Sequence, residues 1–202
     1  MLSPVHPPTP RLAGRISRLA ASLVLALGLV SGCGGHPPAS SATAEIAAPY
    51  PFTVYEIRAG CPLGRVIEYR IEKEGAPPRI ERWAFTPLDP DTVSVTTTAY
   101  DADGNPQGAP TTESAKWTAL HEHARFPRSA TRIYNESLTV SAGTFDVMRY
   151  VVTKPDEAGK LATGDAATYW FARTLPGPPV KVEITKDGHV AMTMTMQANR
   201  TH

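Results

Sequence analysis

The sequence predicts a mainly β fold, a curved antiparallel sheet in half-barrel form with one short helix, for the larger part of its 202 residues. Three observations carry that prediction. From about residue 50 onward, apolar and polar side chains alternate with period two, the mark of strands that bury one face. The alternating runs are separated by short turn-forming stretches, of which Asp187-Gly188 is the clearest. No strand-helix-strand unit repeats, so a parallel α/β sheet is disfavoured. A two-layer β-sandwich is the alternative use of the same strands.

Taken in order, "FTVYEIR" places Thr53, Tyr55 and Ile57 on one side and reads as a strand. "RVIEYRIE" sets Ile67, Tyr69 and Ile71 against Glu68 and Arg70. "IERWAF" puts Trp83 and Phe85 together, and "DTVSVTTTAY" opposes Val93 and Val95 to Ser94 and Thr96. One stretch breaks the pattern. "TTESAKWTALHEHARFP" has Trp117, Leu120 and Ala124 at helical spacing, Glu113 near its start and Pro127 as a stop, which predicts a helix. "FDVMRYVV" then carries Met148, Tyr150 and Val152 on one side and Phe145, Val147 and Val151 on the other, so a central strand covered on both faces is expected. In the last pair, Val180, Val182 and Ile184 match Val190, Met192, Met194 and Met196 across Asp187-Gly188, a hairpin signal because the turn needs positive φ.

The N-terminal quarter has a different composition. Arg11, Arg15 and Arg18 precede an apolar run over residues 19–30 that small residues close. A run this short does not cross a hydrocarbon core that needs about 20 apolar residues. Basic residues, apolar core and small-residue close follow the order of an export signal. Residues 34–48 hold almost no large apolar side chain and cannot offset their ordering entropy, so a flexible tether is expected there. The chain thus divides into a signal at 1–32, a tether at 33–49 and one β-rich domain at 50–202.

The ending Val30-Ser31-Gly32-Cys33 resembles the lipobox of bacterial lipoproteins. That resemblance implies cleavage before Cys33, acylation of the new N-terminus, and attachment to the membrane through lipid. Gly34 in place of an aspartate resembles the outer-membrane type. In the domain, Ala142, Gly143, Thr144, Phe145, Tyr150, Tyr169, Trp170, Val180 and Lys181 resemble the pattern of secreted bacterial proteins of uncharacterised function, over residues 117–196. This second resemblance implies a curved antiparallel fold similar to the periplasmic lipoprotein-carrier half-barrels and supplies no activity. Turn and core packing already account for Gly143 and Phe145.

Charge narrows the partners. The whole chain holds 20 basic and 19 acidic residues, and the three arginines before Cys33 leave with the signal. A near-neutral domain offers no electrostatic footprint for nucleic acid or for anionic lipid. With Cys33 acylated, Cys61 has no partner within the chain, so no internal disulfide is expected.

Candidate chemistry is sparse. His121 and His123 sit two apart, which on a helix turns them away from each other, and no H-E-x-x-H spacing occurs. "DADGN" at 101–105 opens like a calcium loop but lacks the later ligands, and reads as a turn. Cys61 would need a base supplied from elsewhere in the fold to act as a nucleophile. No cofactor and no metal site is expected. Tyr169 and Phe171, opposite Trp170 by alternation, combine with Met192 and Met194 as a candidate apolar ligand cleft, since flexible methionines suit varied acyl chains. The expectation is a non-catalytic, lipid-anchored protein of the bacterial envelope that binds a hydrophobic small molecule or lipid. The alternatives are a structural or protein-interaction module of the outer membrane and a metal-dependent or cysteine-based hydrolase.

Overall fold

A computed structural model of the chain describes residues 46–155 and 161–202. The proposed lipidation residue Cys33, the signal and most of the tether lie outside the described residues. A capping box starts the first element, α1 (Val54–Gly60). Thr53 accepts from the Glu56 N–H, and the Glu56 carboxylate accepts from the Thr53 N–H at 2.7 Å. This corrects the strand expected at "FTVYEIR". On a helix Tyr55 and Ile57 diverge, so Ile57 is buried and Tyr55 is 78% exposed.

Among the described residues nine strands follow: β1 (Arg65–Lys73), β2 (Ala76–Pro87), β3 (Thr92–Asp101), β4 (Thr111–Lys116), β5 (Thr131–Val140), β6 (Gly143–Pro155), β7 (Leu161–Ala172), β8 (Lys181–Lys186) and β9 (His189–Thr201). All belong to one open antiparallel sheet in the order β4-β3-β2-β1-β9-β8-β7-β6-β5, so the mainly β prediction stands and the sandwich does not. Two meanders meet where the first strand pairs with the last, Tyr69 lying opposite Met196 and Ile71 opposite Met194. The outermost strands β4 and β5 do not pair with each other. β5 comes within 8 Å of β9, four strands away, where a flat sheet would separate them by about 19 Å. That half of the sheet is therefore strongly curled.

The predicted helix at 113–127 is shorter than expected. Residues 111–116 form the edge strand β4, with Ala115 opposite Val93 and Glu113 opposite Val95, and only Trp117–Glu122 are helical (α2). Thr111, Thr112 and Ser114 are poor helix formers, and pairing with β3 satisfies their backbone. β6 lies next to the β5 edge, and Val147 and Tyr150 on its two faces are both buried. The Asp187-Gly188 turn has positive φ at both residues, 49° and 78°, and closes the β8–β9 hairpin.

Two segments cross one face of this sheet. Residues 46–64 start beside Pro127, where Ala47 forms an isolated bridge, and reach the beginning of β1. Residues 117–130 run from the end of edge strand β4 to the start of edge strand β5, by way of α2 and a 3-10 turn at Arg128–Ala130. The core forms beneath them from Ile67, Tyr69, Phe85, Val93, Tyr150, Phe171, Val182, Met194 and Met196, with Phe52, Ile57, Trp117 and Phe126 pressing from above. Tyr150 also ties the first segment down, its hydroxyl donating to the Pro49 carbonyl at 2.9 Å. Replacing it with phenylalanine should lower the unfolding free energy by about 1 kcal/mol, and an unchanged urea midpoint would remove that tie from the account.

Candidate functional site

Alternation on three adjacent strands brings the predicted cleft residues together. Tyr169 lies opposite Val182, Val182 opposite Met194, and Ile184 opposite Met192, which puts Tyr169, Phe171, Met192 and Met194 on the face that the two segments cross. Phe171 and Met194 are buried, and Tyr169 and Met192 are partly so. Their aromatic neighbours come from the crossing segments and from β6. Phe126 stacks on Tyr169 with centroids 4.9 Å apart, while Phe52 and Tyr150 meet Phe171 edge-on at 6.1 and 5.5 Å. Such pairs stabilise beyond the area they bury. Burial pushes the Tyr169 phenol above its ordinary pKa, so it stays neutral at physiological pH. Met192 also borders an open depression of about 310 Å³ at the β1–β2 and β8–β9 turns, with Glu72, Lys73 and Glu74 on its rim.

The opposite face carries a polar and aromatic cluster. Tyr134, Arg149, Trp170 and Lys181 face one another in register across β5, β6, β7 and β8. The Arg149 guanidinium lies 4.6 Å from the Tyr134 ring centre, and the Lys181 ammonium 4.7 Å from that of Trp170. Trp170 Nε1 donates to Glu136 at 2.8 Å, Arg149 pairs with Glu136 at 3.5 Å, and Lys181 pairs with Glu183 at 3.0 Å. Each cation thus has a carboxylate and a ring. The arrangement seals a buried indole under long side-chain stems, and its charges are neutralised internally.

A buried arginine is the feature that sequence reading misses. Arg65 is 2% exposed and opens β1. Its Nη1 donates to the Gly60 carbonyl, to the Pro176 carbonyl at 2.8 Å and towards Cys61 Sγ at 3.4 Å, and its Nε donates to Asn199 Oδ1 at 2.9 Å. Nη2 has no partner among the described residues. Tyr69, on the same strand, donates to the Pro179 carbonyl at 2.9 Å. Two buried donors of β1 therefore hold the 173–180 loop against the end of α1. The loop fits closely, since a Cβ built on Gly177 would meet Cys61 Sγ at 3.0 Å. Burial pushes the Cys61 thiol up, against the opposing pull of Arg65, and Cys61 is 1% exposed. A neutral, enclosed thiol is a poor nucleophile.

The remaining candidates separate in space. His121 stacks on Tyr50 with centroids 3.9 Å apart, and its Nδ1 lies 3.5 Å from Glu122 Oε1. Tyr50 donates to that same carboxylate oxygen at 3.0 Å. His123 follows at the end of α2. Among the described residues, no three His, Cys, Asp or Glu side chains are grouped to hold a metal ion. In the 101–105 turn the Asp101 carboxylate accepts from the backbone N–H groups of Asn105 at 2.8 Å and Asp103 at 3.0 Å, and the Asn105 bonds hold its pKa below the usual range. Its oxygens serve the turn itself.

No family model and no curated protein matches the chain. Among solved structures, it is similar to a candidate lipoprotein of Parabacteroides distasonis ATCC 8503, at 10% identity over 69% of this chain and 96% of that one, with a TM-score of 0.47. It is also similar to a candidate exported protein with YmcC-like fold from Bacteroides fragilis NCTC 9343, at 9% identity over 69% and 97%, with a TM-score of 0.41.

Proposed function

We propose that this chain is a non-catalytic lipoprotein of the bacterial envelope, acylated on Cys33 and holding its β domain at the outer membrane as an interaction or structural module. The observation that carries the reading is the order of the first 45 residues. Three arginines, an apolar run too short to span a bilayer, Val30-Ser31-Gly32-Cys33 and a stretch poor in large apolar residues come before the folded body.

Two features of the body support a module that works through its surface. Phe52 and Phe126 already occupy the space over Tyr169 and Phe171 that a bound acyl chain would need. Arg65 and the 173–180 loop enclose Cys61, and His121 is engaged by Tyr50 and Glu122. Labelling cells with an alkynyl palmitate and taking a native mass of the detergent-solubilised chain tests both parts. The expected result is a mature chain that starts at Cys33, carries the label, and holds no further apolar molecule. A second lipid present at one per chain would restore the carrier reading and make Tyr169, Phe171, Met192 and Met194 the residues to mutate.

A further inference from the structure

The two edges of the open sheet are built differently. β4 is six residues long and carries Glu113 and Lys116, the charged, short form that discourages strand addition. β5 is ten residues long, pairs with β6 without a register shift, and contains neither proline nor lysine. Residues 132–135 are all exposed, including Ile133 at 39% and Tyr134 at 41%, which point to opposite faces. A long, regular, partly apolar edge is a template for another strand.

We infer that β5 pairs antiparallel with β5 of a second copy of this chain, about a two-fold axis at Tyr134. In that register Tyr134 faces its own counterpart, Ile133 faces Asn135, and Arg132 faces Glu136 of the partner subunit. The symmetry makes this charge pair twice, and same-face opposite charges directly across an antiparallel ladder stabilise the pairing. Arg132 is exposed and has no ion-pair partner among the described residues. Glu136 accepts from Trp170 through Oε1 and lies 3.5 Å from Arg149 through Oε2. A carboxylate with two such partners retains acceptor capacity for a third. Chain symmetry and charge together favour a second copy over an unrelated extended peptide.

Disulfide capture of a Tyr134→Cys variant of the full chain, in membranes and under mild oxidation, tests the inference. Directly opposed antiparallel positions bring Cα atoms about 4.5–5.5 Å apart, within the range that a disulfide spans. The expected product is a covalent dimer that a Thr112→Cys control on β4 does not form. Adding Arg132→Glu, which sets like charges opposite Glu136, should reduce the dimer about tenfold. A Tyr134→Cys variant whose new thiol reacts with maleimide while the chain stays monomeric overturns the inference, and so does its capture by a different protein. If the variant does not accumulate, sedimentation of the unmutated chain in detergent decides, with the mass of two chains expected and that of one chain overturning it.

Discussion

A Cys33→Ser variant should lose its lipid, and any of it freed of the signal should leave the membrane fraction completely. On the proposed reading the acyl groups hold this chain to the bilayer, because the apolar run at 19–30 would leave with the signal; no helix among the described residues is long and apolar enough to cross a membrane. Each buried methylene of an acyl chain contributes about 0.8 kcal/mol, so two or more chains hold a protein durably where none holds it at all. Serine would remove the sulfur that, on this reading, carries the diacylglyceryl group, at a position ahead of the folded body. Membrane fractionation with palmitate labelling reads both effects. A Cys33→Ser chain that still takes up label, or that sediments with membranes after a salt wash even when freed of its signal, would show that Cys33 is not the attachment point.

The second large effect is expected at Arg65. Replacing it with leucine deletes the donors that satisfy the carbonyls of Gly60 and Pro176 and the Asn199 side chain, and leaves three half-buried acceptors without them. Hydrogen bonds to a charged group contribute roughly 1.5–3 kcal/mol each, and the buried charge itself carries an opposing desolvation penalty. The net loss should be on the order of 3 kcal/mol, seen as a lower urea midpoint with the slope unchanged. Arg65→Lys keeps the charge but not the planar fork that reaches Asn199 and both carbonyls, so it should recover only part of that loss. Loosening of the 173–180 loop has its own reporter, since Cys61 lies directly beneath Gly177 and should react faster with a thiol probe in either variant. A leucine variant with an unchanged midpoint would mean that Arg65 is held by its surroundings without holding them.

These two residues mark the ends of what sequence reading reaches here. Local patterns are what sequence reading reaches: the expectation at Cys33 rests on one, that of an export signal, and falls outside the described residues. Ile67, Tyr69 and Ile71 are legible for the same reason, as is the Asp187-Gly188 hairpin, and the predicted grouping of Tyr169 and Phe171 away from Trp170 follows from strand alternation alone. Arg65 is not legible, because its burial depends on Gly60, Pro176 and Asn199, which meet only in the folded sheet. α1 is open to a better reading. Thr53 and Glu56 spell a capping box, but the spacing of Tyr55 and Ile57 suggests alternation and hides it. At β4 the helical spacing of Trp117, Leu120 and Ala124 draws the predicted helix backward over residues that pair with β3.

The pairing of β1 with β9 sets an order of events on the chain. β1 has its second neighbour only when β9, the last strand in chain order among the described residues, arrives. Until then the β1–β4 meander has a bare edge where the centre of the finished sheet will be, and Tyr69 and Ile71 lack Met196 and Met194 beside them. Contacts that span nearly the whole domain form late and slowly. If the chain crosses a membrane unfolded, as the proposed export signal requires, that delay leaves β9 as the clasp that completes the sheet after passage.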